Sequence, residues 1–391
     1  MKHLLIFLSF LSLLTAQNLD EIISSALEKS PSLEEINERI LASEEKVLLS
    51  ENFSNPELLI LTNTIDASEA MNQNSITVKQ KLPYFGKRQA QKNIALAQKN
   101  ILQMTGESAK ARLVYLIKLE AYKLYELENI YEIICEYEIL TKQNLDLFES
   151  YTSTSENQHM GIMSAELALS NLRIQKSLLS SKVRSSYARL SYMSASKVEV
   201  LDLILDVDEM EPLDEIKKGL KNNFHVSIKD KEIEEGEAQY KNADLQSYPD
   251  ISVVAGYAYR ENFDNYASFG LGLSLPIYGS EERKSQEIRR KLLASRASRE
   301  ETRLKVDAEF EIAYAQMKSA YETYHIINDQ ALPQIEHMFE LINSSVSAGA
   351  DLFKYIDTLI QKLRLEQRSI TSMAEYNKAL AKIEELRGEI D

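Results

Sequence analysis

His159, Met160 and Met163 are of the types that could hold a transported soft or borderline metal such as copper, yet no spaced set of further ligands accompanies them. The single cysteine, Cys135, has no second cysteine to bond and no ligand-spaced histidine beside it, which excludes a disulfide scaffold and a zinc cluster. His225, His325 and His337 are scattered along the chain. No nucleophile stands with a recognisable base or oxyanion environment, and no glycine loop is present to cradle phosphate. The chemistry-bearing residues therefore assign no catalytic role, no cofactor and no resident metal, and attention shifts to the elements around them.

Composition narrows those elements. The 391 residues carry 45 Lys and Arg against 60 Asp and Glu, a formal net charge of -15 that excludes a basic nucleic-acid binder. Only 11 Gly and 7 Pro occur, far below average usage of roughly 7% and 5%, so long uninterrupted helices are expected rather than a loop-rich enzyme. Met1-Lys2-His3, the apolar run Leu4–Leu14 and the small-residue exit Thr15-Ala16-Gln17 read as a secretory signal peptide over residues 1–16, the other reading being an N-terminal membrane anchor. No cysteine near that exit offers a lipid anchor. Beyond residue 16 no stretch of eighteen apolar residues follows, so a membrane crossing by the exported chain has to be a barrel.

The rare breakers recur. Pro56, Pro83 and Gly86 reappear as Pro249, Pro276 and Gly279, each 193 residues on, and Leu82-Pro83-Tyr84-Phe85-Gly86-Lys87 is echoed by Leu275-Pro276-Ile277-Tyr278-Gly279-Ser280. Leu19-Asp20-Glu21-Ile22 matches Leu213-Asp214-Glu215-Ile216 one residue out of phase. The chain reads as a tandem duplication, with a first repeat over 17–208 and a second over 209–391. Each repeat orders a helix, two β-like runs (57–82 and 250–276) and a long helical hairpin.

Ile251, Val253, Ala255, Tyr257 and Tyr259 alternate with small or polar residues, and Phe269, Leu271, Leu273 and Leu275 alternate with Gly270, Gly272 and Ser274. Period-two alternation over about ten residues is the signature of a transmembrane strand, and the polar stretch Arg260–Tyr266 is expected to be the loop. A less apolar counterpart sets Leu58, Ile60 and Thr62 against Ile76, Val78, Gln80 and Leu82 across Asp66–Ser75. A small soluble sheet packed on helices is the plainer alternative. Tyr84, Phe85, Tyr248, Tyr257, Tyr259, Phe263, Tyr266, Phe269 and Tyr278 are expected around the strand ends, where amphipathic rings favour membrane interfaces.

No proline falls between Pro83 and Pro212, and Leu113, Leu116, Ile117, Leu124, Leu127, Tyr131 and Ile134 sustain helical spacing from Gly86 to about Ser150. Such a helix reaches roughly 100 Å at 1.5 Å per residue. A second runs from Glu281 to about Ser345, punctuated only by Pro333. The partner helices are expected at Gly161–Tyr192 and Gly349–Arg387, with the hairpins turning near Gly161 and Gly349, where small residues suit a tight turn or a close contact with a partner.

On these residues the chain resembles the TolC family of bacterial outer-membrane efflux proteins over essentially its whole mature length. The resemblance implies a mainly α fold with a small transmembrane β part, four strands per chain entering the twelve-stranded barrel of a homotrimer, and duplicated helical hairpins forming a periplasmic α-barrel. It implies a passive channel of a tripartite efflux or type I secretion system in the outer membrane, partnered by a periplasmic membrane-fusion adaptor and an inner-membrane pump. A periplasmic coiled-coil structural or chaperone-like protein without a pore is the competing class. Carried onto this sequence, Pro56, Pro83, Gly86, Pro249, Pro276 and Gly279 mark strand–helix junctions. Phe269, Leu271, Leu273 and Leu275 face lipid, and Gly161 and Gly349 form the adaptor-contacting tip. Family members place acidic residues six and nine positions after the second such glycine. Here Tyr355 and Thr358 stand there, leaving Asp351 and Asp357 as candidates for a pore constriction, or as solvated charges at a helix end.

Overall fold

A computed structural model describes residues 17–63, 72–150, 156–346 and 352–390. The signal-peptide expectation at 1–16, most of the loop expected across Asp66–Ser75, and Gly349 and Asp351 lie outside the described residues. The chain is mainly helical, with one four-stranded sheet and one two-residue parallel pair.

Within the first repeat, β1 (Gln17–Asn18) leads into α1 (Leu19–Lys29) and α2 (Pro31–Leu49), then β2 (Glu57–Thr62), β3 (Gln73–Leu82), α3 (Lys87–Ser150) and α4 (Glu156–Met193). β4 (Leu201–Asp202) ends the first repeat, and the second follows the same helix–strand–helix order: α5 (Leu213–Lys218), α6 (Phe224–Leu245), β5 (Ile251–Arg260), β6 (Tyr266–Leu273), α7 (Ser280–Ile326), α8 (Leu332–Val346) and α9 (Leu352–Arg387). Local chemistry sets the starts. Asn18 Oδ1 accepts from the Glu21 N–H at 2.7 Å, Asp20 and Glu21 sit in the first turn of α1, and Pro31 opens α2 where its missing N–H has no intrahelical partner to lose. The matched Leu19 and Leu213 each open a helix, and Ile22 and Ile216 three residues later are both buried.

Two compact units cut across this duplication. The first takes in the described residues of Met1–Glu34, Ala109–Asn223 and Val306–Asp391. Ile22, Ile23 and Ala26 of α1 pack there on Val114, Ile117, Ala121 and Leu124 of α3 and Leu190 of α4. The three-to-four spacing on α3 places these residues on one stripe, and each fully buried Ile or Leu contributes about 1.5–3 kcal/mol. A second cluster joins Ile134, Tyr137 and Leu145 to Ala165, Ala168, Leu169 and Leu172 of α4 and to Leu352, Tyr355, Ile356 and Leu359 of α9.

The interruption expected at Pro333 is a π turn over Ile327–Ala331, between α7 and α8. Proline lacks a donor and its ring crowds the preceding turn. The widened turn absorbs this, with the Leu332 N–H donating five residues back to the Ile327 carbonyl and Asn328 Nδ2 donating to the Tyr324 carbonyl at 2.9 Å.

The second unit takes in Glu35–Ser108 and Phe224–Lys305. Its helices approach closely through small residues: a Cβ on Gly106 would stand 3.4 Å from Ile36 Cγ2, and one on Gly236 would stand 3.1 Å from Leu292 Cδ1. Charged side chains rim these contacts, as Arg299 with Asp230 and Arg296 with Glu237, each at 2.9 Å.

The four-stranded sheet belongs wholly to this unit, in the order β2-β3-β5-β6 and antiparallel throughout. Gln73–Ser75, expected in the first loop, belong to β3, and the second loop is confined to residues 261–265 because Arg260 and Tyr266 are strand residues. Leu275 follows the end of β6, although the Ser274 N–H continues the ladder to the Asp250 carbonyl at 3.0 Å.

Candidate functional site

The sheet separates two chemistries by pleat. The register sets Leu58 opposite Val78 and Ile60 opposite Ile76, then Val78 opposite Ala255 and Gln80 opposite Val253, then Val253 opposite Leu271 and Ile251 opposite Leu273. These residues share one face, and Ile60, Phe269 and Leu271 on it are 73%, 84% and 79% exposed in the single chain. The other face carries Gln73, Ser75, Thr77, Lys79 and Lys81 of β3 with Ser252, Ser268, Gly270 and Gly272.

That second face is crowded. A Cβ on Gly256 would stand 2.9 Å from both Ser268 Oγ and Thr77 Oγ1, and one on Gly272 would stand 2.5 Å from Ser252 Oγ. Glycine at these two positions leaves room for the hydroxyls beside it.

Aromatic residues stand at both ends of the sheet. Tyr84, Phe85, Tyr248 and Tyr278 lie at the strand–helix corners, and Tyr257, Tyr259, Phe263 and Tyr266 lie toward the 261–265 loop. Phe269 departs from the expected pattern, since it sits opposite Ala255 in mid-sheet. The ten residues of β5 reach about 33 Å at roughly 3.3 Å each, or about 25 Å in height at a tilt near 40–45°. The whole strand, its apolar part and its aromatic end together, thus has the length of a transmembrane β-strand.

The corners carry the duplicated prolines. Pro56 and Pro249 precede β2 and β5; Pro83 and Pro276 follow β3 and β6, each leading to a glycine that precedes a long helix. Gly86 has φ +94° and Gly279 φ +71°, left-handed conformations that an L side chain strains to adopt. Gly86 also caps α3, its carbonyl accepting from the Ala90 N–H at 2.9 Å.

Beside Gly86 lies a feature that the sequence reading missed. Lys87 is buried and donates to the Tyr248 carbonyl and to Asp250 Oδ1, both at 2.8 Å, while the Tyr84 N–H donates to the same Asp250 oxygen at 2.8 Å. Tyr84 and Tyr248 stack with centroids 4.6 Å apart. Burial opposes the Asp250 charge, but Lys87 and the Tyr84 N–H outweigh it and hold the carboxyl below its usual range. The only signal in sequence is adjacency, Lys87 following Gly86 and Asp250 following Pro249. Asp250→Asn keeps the acceptor but loses the charge, so a loss of about 1 kcal/mol is expected at neutral pH. Because the native carboxyl is depressed, this difference is full above the unfolded value near pH 4 and vanishes as pH falls through the native value. Denaturant titrations of both proteins at several pH values check it.

Of the two expected tip residues, Gly161 lies among the described residues, near the end of the first helical hairpin. Gly161 does not make the turn. It is buried in the second turn of α4, where a Cβ would stand 3.0 Å from Leu352 Cβ and 3.3 Å from the Phe353 N. Its lack of a side chain serves close approach of α4 to α9. Tyr355 and Thr358 are buried on α9, where Tyr355 Oη accepts from Asn144 Nδ2 at 3.0 Å and burial raises the phenol's pKa. An acidic residue at either position would lie in the apolar cluster. Asp357 occupies the exposed side of the same helix and accepts from Gln361 Nε2 at 2.7 Å.

His159, Met160 and Met163 are exposed on α4. His225 and His337 are exposed on α6 and α8, and His325 on α7 faces Asp329 Oδ2 at 3.2 Å. Among the described residues no three or more His, Cys, Asp or Glu gather as a metal site, and no helix is long and apolar enough to cross a membrane.

Residues 216–388 match the outer membrane efflux protein family. A sequence search of curated proteins gave no match. Among solved structures, the chain is similar to CusC (TM-score 0.81, 12% identity, covering 96% of this chain and 93% of that one). It is similar to the MtrE outer membrane channel of Neisseria gonorrhoeae (TM-score 0.81, 12% identity, 95% and 89% covered) and to the outer membrane protein VceC of Vibrio cholerae (TM-score 0.79, 14% identity, 95% and 97% covered). At these identities the likeness speaks for the fold. The family match thus lies within the second repeat, the first repeat carries the same element order, and the fold is shared with these solved structures over nearly the whole length.

Proposed function

We propose that this chain is a passive outer-membrane channel-tunnel that exports substrates delivered by an inner-membrane pump through a periplasmic adaptor, in a tripartite efflux or type I secretion system. The observation carrying this reading is the antiparallel sheet with one exposed apolar face, one polar face and aromatic residues at both ends. Four strands cannot enclose a lumen, since even eight leave an interior that side chains fill. Three copies supply twelve, an even number compatible with a closed antiparallel barrel. In this reading the repeats 17–208 and 209–391 each give one ribbon to the barrel and one helical hairpin to a periplasmic α-barrel. Gly161 and Gly349 belong to the end that meets the adaptor, and Asp351 and Asp357 form carboxylate rings at the constriction. The efflux role draws on the family match, and the outer-membrane location on the likeness to solved channels such as MtrE.

Membrane fractionation tests it. Heat-modifiable trimers in the outer-membrane fraction are expected. Release as a soluble protein by osmotic shock overturns the channel in favour of a periplasmic structural or chaperone-like protein. Export of drugs, copper and a secreted protein, compared with and without the chain, then identifies the cargo.

A further inference from the structure

The corner that leads from β3 into α3 carries more positive charge than turning a strand into a helix requires. A cavity of about 690 Å3 lies there, lined by Glu51, Phe53, Pro83, Phe85, Arg88 and Lys92, all within the second unit. That is the size of an ordinary ligand site, roughly 300–1,000 Å3. The Arg88 guanidinium lies over the Phe53 ring, 3.9 Å from its centroid, and donates to the Glu51 carbonyl, while Lys92 pairs with the Glu51 carboxylate. Arg88 Nε, shielded from solvent, has no hydrogen-bond partner among the described residues. We propose that this corner binds the headgroup of a membrane phospholipid, its phosphodiester taken by Arg88 and Lys92 and its acyl chains lying along the apolar face of the sheet. That the sheet crosses a membrane rests on the channel reading; the headgroup site is the addition.

Three observations carry it. Two cations against one carboxylate leave the cavity with a net charge of +1, which complements the single negative charge of a phosphodiester. A guanidinium offers phosphate oxygens a fork of N–H donors, and Arg88 has donors to spare.

Position is the second. Gln80 belongs to the apolar face, opposite Val253, and its Nε2 donates to the Ser54 carbonyl at 2.9 Å, which fastens the segment beside Phe53 to the end of that face. Phe85 is 93% exposed at the same corner, an aromatic ring at a strand end, where a bilayer has its interface. Cations at that level sit where lipid phosphates lie.

The duplication is the third. Pro276, Tyr278 and Gly279 repeat the frame of Pro83, Phe85 and Gly86, yet Glu281 and Ser285 stand at the places of Arg88 and Lys92, and Gln246 at that of Phe53. The second corner makes the same left-handed glycine turn into a long helix without them. The corner is instead held by Lys87, which serves Asp250 and Tyr248 and leaves the two cations that follow it free of that task.

Native mass spectrometry of the full chain, taken from outer membranes as trimers and stripped of lipid, tests the site with 1-palmitoyl-2-oleoylphosphatidylethanolamine as the probe. Arg88→Gln/Lys92→Gln is expected to bind it at least about fivefold more weakly than the unmodified protein. Arg283→Gln/Lys284→Gln, which removes as much charge at the second corner, should bind it unchanged, and Arg88→Lys should bind better than the double variant. On the unmodified protein, dioleoylglycerol, which has the chains without the phosphate, should bind at least about fivefold more weakly. Should the double variant form no trimers, this last comparison decides. Equal binding of diacylglycerol, equal binding by the double variant, or an equal loss in the second-corner variant overturns the site and leaves the channel standing. Inorganic phosphate that displaces the lipid completely overturns the lipid in favour of a free anion. Absence of trimers from the outer membrane for the unmodified chain overturns both readings.

Discussion

Leu271→Arg is expected to remove about 2–4 kcal/mol from insertion and assembly, the penalty of a cation on the lipid face near the bilayer midplane. Leu271 lies within β6, opposite Val253, on the apolar face that also bears Ile76, Val78 and Phe269. Leu273→Arg should be milder, because Leu273 ends β6 beside the Pro276 corner, where an arginine can reach the interface. Gly270→Lys is the discriminating control. Residue 270 belongs to the polar face, and a Cβ there would have only Val254 Cβ nearby at 3.9 Å. Yields of heat-modifiable trimer in outer membranes should therefore fall strongly for Leu271→Arg and little for Gly270→Lys. Equal yields would remove the assignment of the two faces.

Gly161→Leu should destabilise the helical unit by about 1–3 kcal/mol and abolish export while sparing trimer insertion. A Cβ at this position already crowds Leu352 Cβ, and the Phe353 N beside it is backbone that cannot swing aside. Adding a full side chain forces α4 from α9, and overpacked contacts cost about this amount. Gly161 and Leu352 belong to one compact unit and the sheet to the other. The loss should therefore appear in thermal melts followed by helical circular dichroism and in drug or copper sensitivity, with trimers still present. A variant that exports normally would detach Gly161 from the adaptor-contacting end.

Much of this architecture is written locally. Period-two alternation marks β3, β5 and β6, three-to-four spacing marks α3, and the Pro and Gly pairs mark the corners because proline cannot donate and glycine alone accepts a left-handed turn. The 193-residue repeat carries the same element order twice. These features need no knowledge of which face meets which.

Contacts between distant segments were a different matter. That β3 neighbours β5, more than 160 residues on, that Lys87 is buried against Asp250, and that Gly161 serves a helix contact rather than a turn follow only from the folded chain. Tyr355 and Asp357 make the same point two residues apart, one inside the cluster with Leu145 and Leu359, the other exposed. A sequence determines which positions of a helix or strand are apolar, since that follows from backbone period. Which apolar surfaces meet, and which lysine lies between them, is decided by pairing across long loops, where close packing admits few arrangements and the local pattern is silent.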